Sequence, residues 1–188
     1  MSYFINVENL FDLEKQEKWE DARKLLYKLW EGDKFNCDKL IRLFSECWYV
    51  LSLWDCCLSK ENISFQAFQN TLIECIEFGF ENFMNNSRFL CIAGYMISTL
   101  PHLFLLKGMD SSYIEWEQKG IDMLRKSNEI DPNDRISEIL NLGMKFDFDR
   151  YNKVKRLFIL DLNDSLLNET AIEVYFKNVL GNIEVLEN

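Results

Sequence analysis

The fold is decided by residues 37–57, CDKLIRLFSECWYVLSLWDCC. Apolar side chains recur there at three- and four-residue spacing, and toward the C-terminal end they surround the helix axis. These side chains are Leu43, Phe44, Cys47, Trp48, Val50, Leu51, Leu53 and Trp54. A surface helix has one apolar stripe, whereas a helix that is apolar all round must be buried. With Asn36 as a favourable N-cap, the stretch predicts a central helix over residues 37–57.

The rest of the 188-residue chain has helical periodicity and few turn residues. Hydrophobic residues make up 48%, and only seven glycines and two prolines are present, which is few for a β-sandwich or barrel. The pattern predicts further helices over residues 17–30, 65–83, 112–130, 135–142, 149–160 and 169–180, one from Ser87 to Pro101, and a short turn near 7–13. The N-caps expected for three of these helices are Ser64, Asp110 or Ser111, and Asn168, and Gly143 is expected to end the helix over 135–142. We therefore predict an all-α fold of seven or eight antiparallel helices, stacked as a bundle or short helical-repeat array, in a single domain spanning residues 1–188.

Residues 89–106 form a long uncharged segment. Its 18 positions are close to the minimum length of a membrane span. Polar residues and Pro101 interrupt its second half, and its flanks lack the aromatic and basic residues that border membrane helices. We predict a buried helix here and no membrane insertion.

Six cysteines stand at positions 37, 47, 56, 57, 75 and 91, all in helix-periodic apolar segments. Their spacing does not match a zinc site. Residues 1–15 lack the basic start and apolar run of a secretory signal. We predict buried, reduced thiols in a cytoplasmic protein.

Groups that could carry chemistry are sparse. His102 is the only histidine, and a general base needs an assembled partner. The short acidic pairs Asp147/Asp149 and Asp161/Asp164 lack the ligand spacing and glycine of a calcium loop, and Asp147 or Asp149 suits the N-cap of the following helix. No phosphate-binding glycine loop or nucleophile elbow is present. We predict no catalytic residue, no cofactor and no metal site.

The charge balance favours a basic protein partner. Thirty-one acidic residues oppose 21 basic ones, for a formal net charge of -10, which repels nucleic acid. Helix spacing leaves open whether Trp116 faces the core or solvent; exposed between two acids, it would make a good interface anchor. The predicted partner-binding residues are Glu115, Trp116, Glu117, Asp131, Asp134, Asp147 and Asp149.

Residues 120–134, GIDMLRKSNEIDPND, keep the spacing of small, large, small and proline positions at Gly120, Leu124, Ser127 and Pro132. The stretch resembles the second helix of a tetratricopeptide repeat, in which small residues allow close helix packing and proline ends the helix. The resemblance implies tetratricopeptide-like helical hairpins.

This resemblance is partial, because it covers about one helix. Residues 19–29 give a weaker echo, and only Gly108 fits the pattern of the companion helix upstream. What it implies for function is an adaptor that holds a peptide or protein in a groove.

By type, the chain is similar to the immunity proteins of bacterial contact-dependent growth inhibition toxin systems. Those are small, acidic, cytoplasmic domains that bind a cognate toxin, often a basic nuclease, and block its active site. The class has no signature residues, so no site residue is carried over. The resemblance implies a monomer or 1:1 heterocomplex, and the charge and the uncharged segment separately predict that the protein binds neither nucleic acid nor membrane.

Overall fold

The computed structural model describes residues 3–56, 63–105, 112–144, 147–158, 166 and 169–181. Within these ranges the chain forms nine α-helices, one short 3-10 helix and no strand, which confirms the all-α class. The helices are α1 Leu10–Lys15, α2 Trp19–Glu31, α3 Cys37–Ser52, α4 Phe65–Asn82, α5 Ser87–Thr99, the 3-10 helix Pro101–Phe104, α6 Tyr113–Ile130, α7 Arg135–Met144, α8 Phe148–Phe158 and α9 Ala171–Gly181.

Side-chain caps begin several of these helices. The predicted caps Asn36 and Ser64 are confirmed, since each accepts a hydrogen bond from the amide three residues on, at 3.2 and 3.3 Å. Helix α5 is capped by Asn86 rather than begun by a Ser87 cap. Helix α6 has a capping box in which Ser112 and Glu115 bond each other's backbone amides. The cap is therefore Ser112 and not the predicted Asp110 or Ser111. Asn168, predicted to cap the last helix, lies outside the described residues.

Helix ends differ from the prediction in two places. Helix α3 ends at Ser52 rather than continuing to residue 57, because the chain turns so that Trp54 packs edge-on against Phe65 of α4, with ring centroids 5.2 Å apart. Helix α7 continues through Gly143, which was expected to end it. A glycine inside a helix costs only about 1 kcal/mol, which neighbouring packing offsets.

Helices α5 and α6 pack antiparallel at unusually close range. A Cβ on Gly120 would lie 2.5 Å from the Ser98 nitrogen and 2.7 Å from the Gly94 oxygen. At the other end of the pair, the Ser127 hydroxyl donates to the Ser87 carbonyl at 2.7 Å. The small residues Gly120 and Ser127 therefore allow α6 to approach α5 closely, which is the role that small residues have at the corresponding positions of a tetratricopeptide repeat.

Alternate helices run parallel. Along α2 and α4, Arg23 bonds Thr71 at 2.9 Å, Tyr27 bonds Glu74 at 3.0 Å, and the Trp30 and Phe78 rings follow. Residue numbers increase in the same direction along both helices through these three contacts, so α2 and α4 are parallel.

Other alternate helices are also neighbours, and together they form two layers. Asp38 pairs with Arg88 and Trp48 bonds the Met96 carbonyl, so α3 and α5 are parallel. Phe80 of α4 stacks near Trp116 of α6, and α5 contacts α7. One layer therefore contains α2, α4 and α6, and the other contains α3, α5 and α7, as in stacked helical hairpins.

Helix α9 covers a face of α3 and α5. The Tyr175 ring lies 5.3 Å from Trp48, and its hydroxyl lies 2.7 Å from the Tyr95 hydroxyl. Phe176 packs against both Tyr95 and Phe4. With α2 and α4 on its other sides, α3 is buried almost throughout, as its apolar sequence predicted.

Among the described helices, none has the length and apolar character needed to cross a membrane. The uncharged run from Phe89 to Ser98 is instead buried within the protein, continuously along α5. Contacts with α3, α6 and α7 account for this burial.

Candidate functional site

The predicted partner-binding residues lie at three separate places. Glu115 and Glu117 are in the first turns of α6, whereas Asp131 and Asp134 follow its last residue. An 18-residue helix is about 27 Å long, so these pairs are at opposite ends. The third place is the start of α8, with Asp147 and Asp149. The acids at the two ends of α6 therefore do not belong to one surface.

Much of the Trp116 side chain packs against neighbouring aromatic rings of the protein. Its ring is half-buried and stacks on Phe104 at 5.6 Å and on Phe80 at 6.2 Å between centroids. The ammonium of Lys119 lies 5.0 Å from the same ring. Trp116 therefore stabilises the contact of α6 with α4 and the 3-10 helix, and only part of the ring is left for a partner.

The aspartates between α6 and α7 have structural roles. Asp134 is partly buried and accepts hydrogen bonds from the Tyr3 hydroxyl at 2.8 Å and from the Ile136 amide at 3.0 Å, at the start of α7. Burial raises the pKa of Asp134, and these hydrogen bonds oppose the rise. Asp131 accepts from the Asn133 amide at 3.1 Å and shapes the turn.

The acids beside α8 and α6 are more accessible. Asp147 is exposed and caps α8 by accepting from the Arg150 amide at 3.3 Å, as the sequence predicted. Asp149 is exposed beside Lys153 and Arg156 in a shallow depression. Glu115 is exposed, although its carboxylate accepts the Ser112 amide at 2.7 Å.

A different surface combines an exposed aromatic ring with several acids. Phe35, in the turn between α2 and α3, is 74% exposed, and its ring centroid is 5.7 Å from that of Phe78 in α4. Phe78 in turn packs edge-on against the buried Trp30. Glutamates flank these rings on α2 and α4. We define the Phe35 patch as Glu31, Phe35, Glu74, Glu77, Phe78 and Glu81.

Sequence reasoning missed Phe35, although a signal was present. In the segment 32–36, GDKFN, it is the one apolar residue among turn and capping residues. A large aromatic side chain in such a turn either folds back onto the core or faces solvent, and helical periodicity does not distinguish the two.

A second open feature, a groove of about 560 Å³, follows the outer side of α6. Ile114, 73% exposed, lies at its edge. Lys119 and Lys126 line it together with Glu115 and Asp122, so its charges are balanced. The groove therefore lacks the acidic character of the Phe35 patch.

A buried ionic group connects three distant parts of the chain. Arg42 and Glu46 of α3 are fully buried, and the Arg42 guanidinium bonds both Glu46 and Glu14 of α1. Glu14 also accepts the Ala171 amide of α9 at 2.6 Å. Burial, assisted by Glu14, raises the pKa of Glu46 to about 8 against the pull of Arg42. The other carboxylate oxygen of Glu46 is buried without a hydrogen-bond partner, which agrees with a carboxyl group that keeps its proton more readily than a solvated glutamate.

The described cysteines differ in their exposure to solvent. Cys47, Cys75 and Cys91 are buried free thiols, and burial raises the pKa of each. The prediction of burial is wrong for Cys56, which is exposed after the early end of α3. Cys37 is half-buried. Cys57, Asp161 and Asp164 lie outside the described ranges.

His102 is exposed on the 3-10 helix, and among the described residues no three acidic, cysteine or histidine side chains are grouped to hold a metal ion. Comparison of the chain with protein-family models, with curated proteins and with solved structures gave no match.

Proposed function

We propose that the protein works by binding a basic protein rather than by catalysis. Specifically, it is an immunity protein that neutralises a nuclease-like toxin domain in the cytoplasm as a 1:1 complex. The observation that carries this proposal is the placement of the negative charge. Among the described acids only Glu14, Glu46, Glu138 and Glu173 are buried, so most of the described carboxylates are at least partly exposed to solvent on a chain with a formal net charge of -10. Such a surface attracts a basic partner and excludes nucleic acid.

An adaptor that holds a peptide in a groove is the second candidate, and the two-layer stacking of hairpins favours it. That function needs an open face along one layer. Helix α9 occupies the face formed by α3 and α5, where Tyr175 packs on Trp48 and bonds Tyr95. We therefore favour the immunity function over the adaptor function.

Capture of the partner tests the proposal. Tagged protein is used to isolate bound proteins from a lysate of the source cells, and the captured species are identified by mass spectrometry. We expect one dominant basic domain in 1:1 stoichiometry, and we expect its nuclease activity to be lost when an equimolar amount of this protein is added. A captured domain that keeps its full activity in the complex, or the capture of no basic protein, would overturn the proposal.

A further inference from the structure

Exposed apolar side chains are common on proteins and carry meaning only in context. The three most exposed ones among the described residues are Phe35 at 74%, Ile114 at 73% and Leu157 at 62%. Ile114 borders the groove that contains Lys119 and Lys126, and Leu157 lies beside basic residues of α8. Of these three, only Phe35 has predominantly acidic surroundings.

The ring of Phe35 rests on a rigid aromatic support. Phe78 lies 5.7 Å from it, and Phe78 is held by Trp30 at 5.5 Å and by Phe83 at 6.1 Å. Trp30 is fully buried. A side chain supported in this way loses little conformational freedom on binding, which is the property of interface anchors.

Carboxylates flank this support on both helices. On α4, Glu74 and Glu81 are four residues before and three residues after Phe78, so they share its side of the helix, and Glu77 is exposed beside them. On α2, Glu31 is exposed in the last turn, next to the contact with α4.

The basic residues closest in sequence to Phe35 are already engaged. The Lys34 ammonium lies 4.9 Å from the Trp30 ring centroid, and Lys39 pairs with Asp33 at 3.0 Å. Lys34 keeps its charge in this contact, and the last turn of α2 carries one more exposed lysine. The four glutamates of the Phe35 patch outnumber these two lysines, so the patch attracts cations.

Resting on the proposed function, we propose that the Phe35 patch is the surface that binds the basic partner, and that it takes an arginine-rich face of a folded protein. Guanidinium groups stack on aromatic rings and form paired hydrogen bonds with carboxylates, so arginine satisfies both features of the patch at once. A second copy of this chain fits less well, because two surfaces of the same sign repel each other.

Matched variants test the assignment. Phe35→Ser removes the anchor, and Glu77→Lys with Glu81→Lys reverses the local charge. Leu157→Ser is the control, since it removes another largely exposed apolar side chain, one that lies among basic residues. Far-ultraviolet circular dichroism establishes that each variant is folded. Affinity for the captured partner is measured by calorimetry. We expect a loss of about tenfold or more for Phe35→Ser and for the charge reversal, and none for the control.

A second probe separates this assignment from the proposed function. The amide spectrum of 15N-labelled protein is recorded with a nine-residue polyarginine peptide, with and without Phe35→Ser. Perturbations centred on residues 31–36 and 74–83 support the patch even if no toxin is captured, in which case the proposed function alone falls. Perturbations centred elsewhere, or a captured partner that binds Phe35→Ser as tightly as the wild type, overturn the patch while the proposed function stands. Self-association that is lost in Phe35→Ser, measured by sedimentation, overturns it in favour of a second copy.

Discussion

At the scale of single residues, the burial of Glu46 is a feature that the sequence alone does not predict. An arginine and a glutamate four residues apart, such as Arg42 and Glu46, are usually a solvated pair on a helix surface. Both are fully buried here because α1, 28 residues earlier in the chain, and α9, from the far end of the chain, close over them. Sequence periodicity identified the apolar side of α3, but it could not identify this contact, which depends on residues more than 100 positions apart.

The raised pKa of Glu46 makes the free energy of unfolding depend on pH. An unfolded glutamate releases its proton near pH 4.5, whereas folded Glu46 keeps it to about pH 8. Between these values the folded state binds more protons, so its stability falls as pH rises through that window. We expect Glu46→Gln to flatten this fall, because glutamine has no proton to lose.

Urea unfolding at several pH values between 4.5 and 8 measures this slope. Glu77→Gln is the matched control, since it removes an exposed carboxyl group that is in water in both states. A slope in Glu46→Gln equal to that of the wild type would contradict the assignment.

At the scale of the helices, sequence patterns predicted which segments are helical better than they predicted where each helix ends. The caps at Asn36 and Ser64 were predictable because the cap is a local hydrogen bond. The end of α3 was not, because Trp54 leaves the helix to pack on Phe65 of another helix. Gly120 lies between these cases: the repeat-like spacing indicated close packing but did not name α5 as the neighbour.

Gly120→Ala should separate α5 from α6. The added methyl group would lie 2.5 Å from the Ser98 nitrogen, a backbone atom that cannot move without moving α5. We expect a loss of stability of about 1–3 kcal/mol from overpacking, although alanine favours helix over glycine by about 1 kcal/mol. Thermal unfolding measures the change.

Gly32→Ala provides the comparison, because its nearest atom would be the Lys28 carbonyl at an ordinary 3.5 Å. We expect a change within about 0.5 kcal/mol for this exposed position. Equal effects of the two substitutions would show that close helix packing does not explain the glycine at 120.

For the whole molecule, composition predicted the class and the sign of the surface charge, but not where that charge is useful. The acids of the Phe35 patch come from α2 and α4, which are separated by all of α3 in sequence and meet through parallel packing. The sequence analysis instead predicted partner-binding acids in and beside α6 and α8. A surface assembled from distant segments becomes visible only when the helices are placed.

The net charge of -10 leads to a prediction about association rate. Opposite surface potentials accelerate encounter at low ionic strength, and salt screens them over about 10 Å at 0.1 M. We expect the association rate constant with the basic partner, measured by stopped-flow fluorescence, to fall at least tenfold from about 0.01 M to 0.5 M salt, while dissociation changes little. A rate that is independent of salt would mean that the acidic surface does not guide binding.

The bond between Glu14 and the backbone of Ala171 also sets an order of events during synthesis. Both Glu14 and Arg42 leave the ribosome long before α9 does, by roughly 10 s at ordinary elongation rates. Throughout that interval the aromatic face that Tyr175 later covers is open to water. Until α9 has been synthesised, nothing from that helix can cover Trp48 and Tyr95, so we expect a holdase chaperone to bind a chain that ends before residue 169 more strongly than the full-length chain.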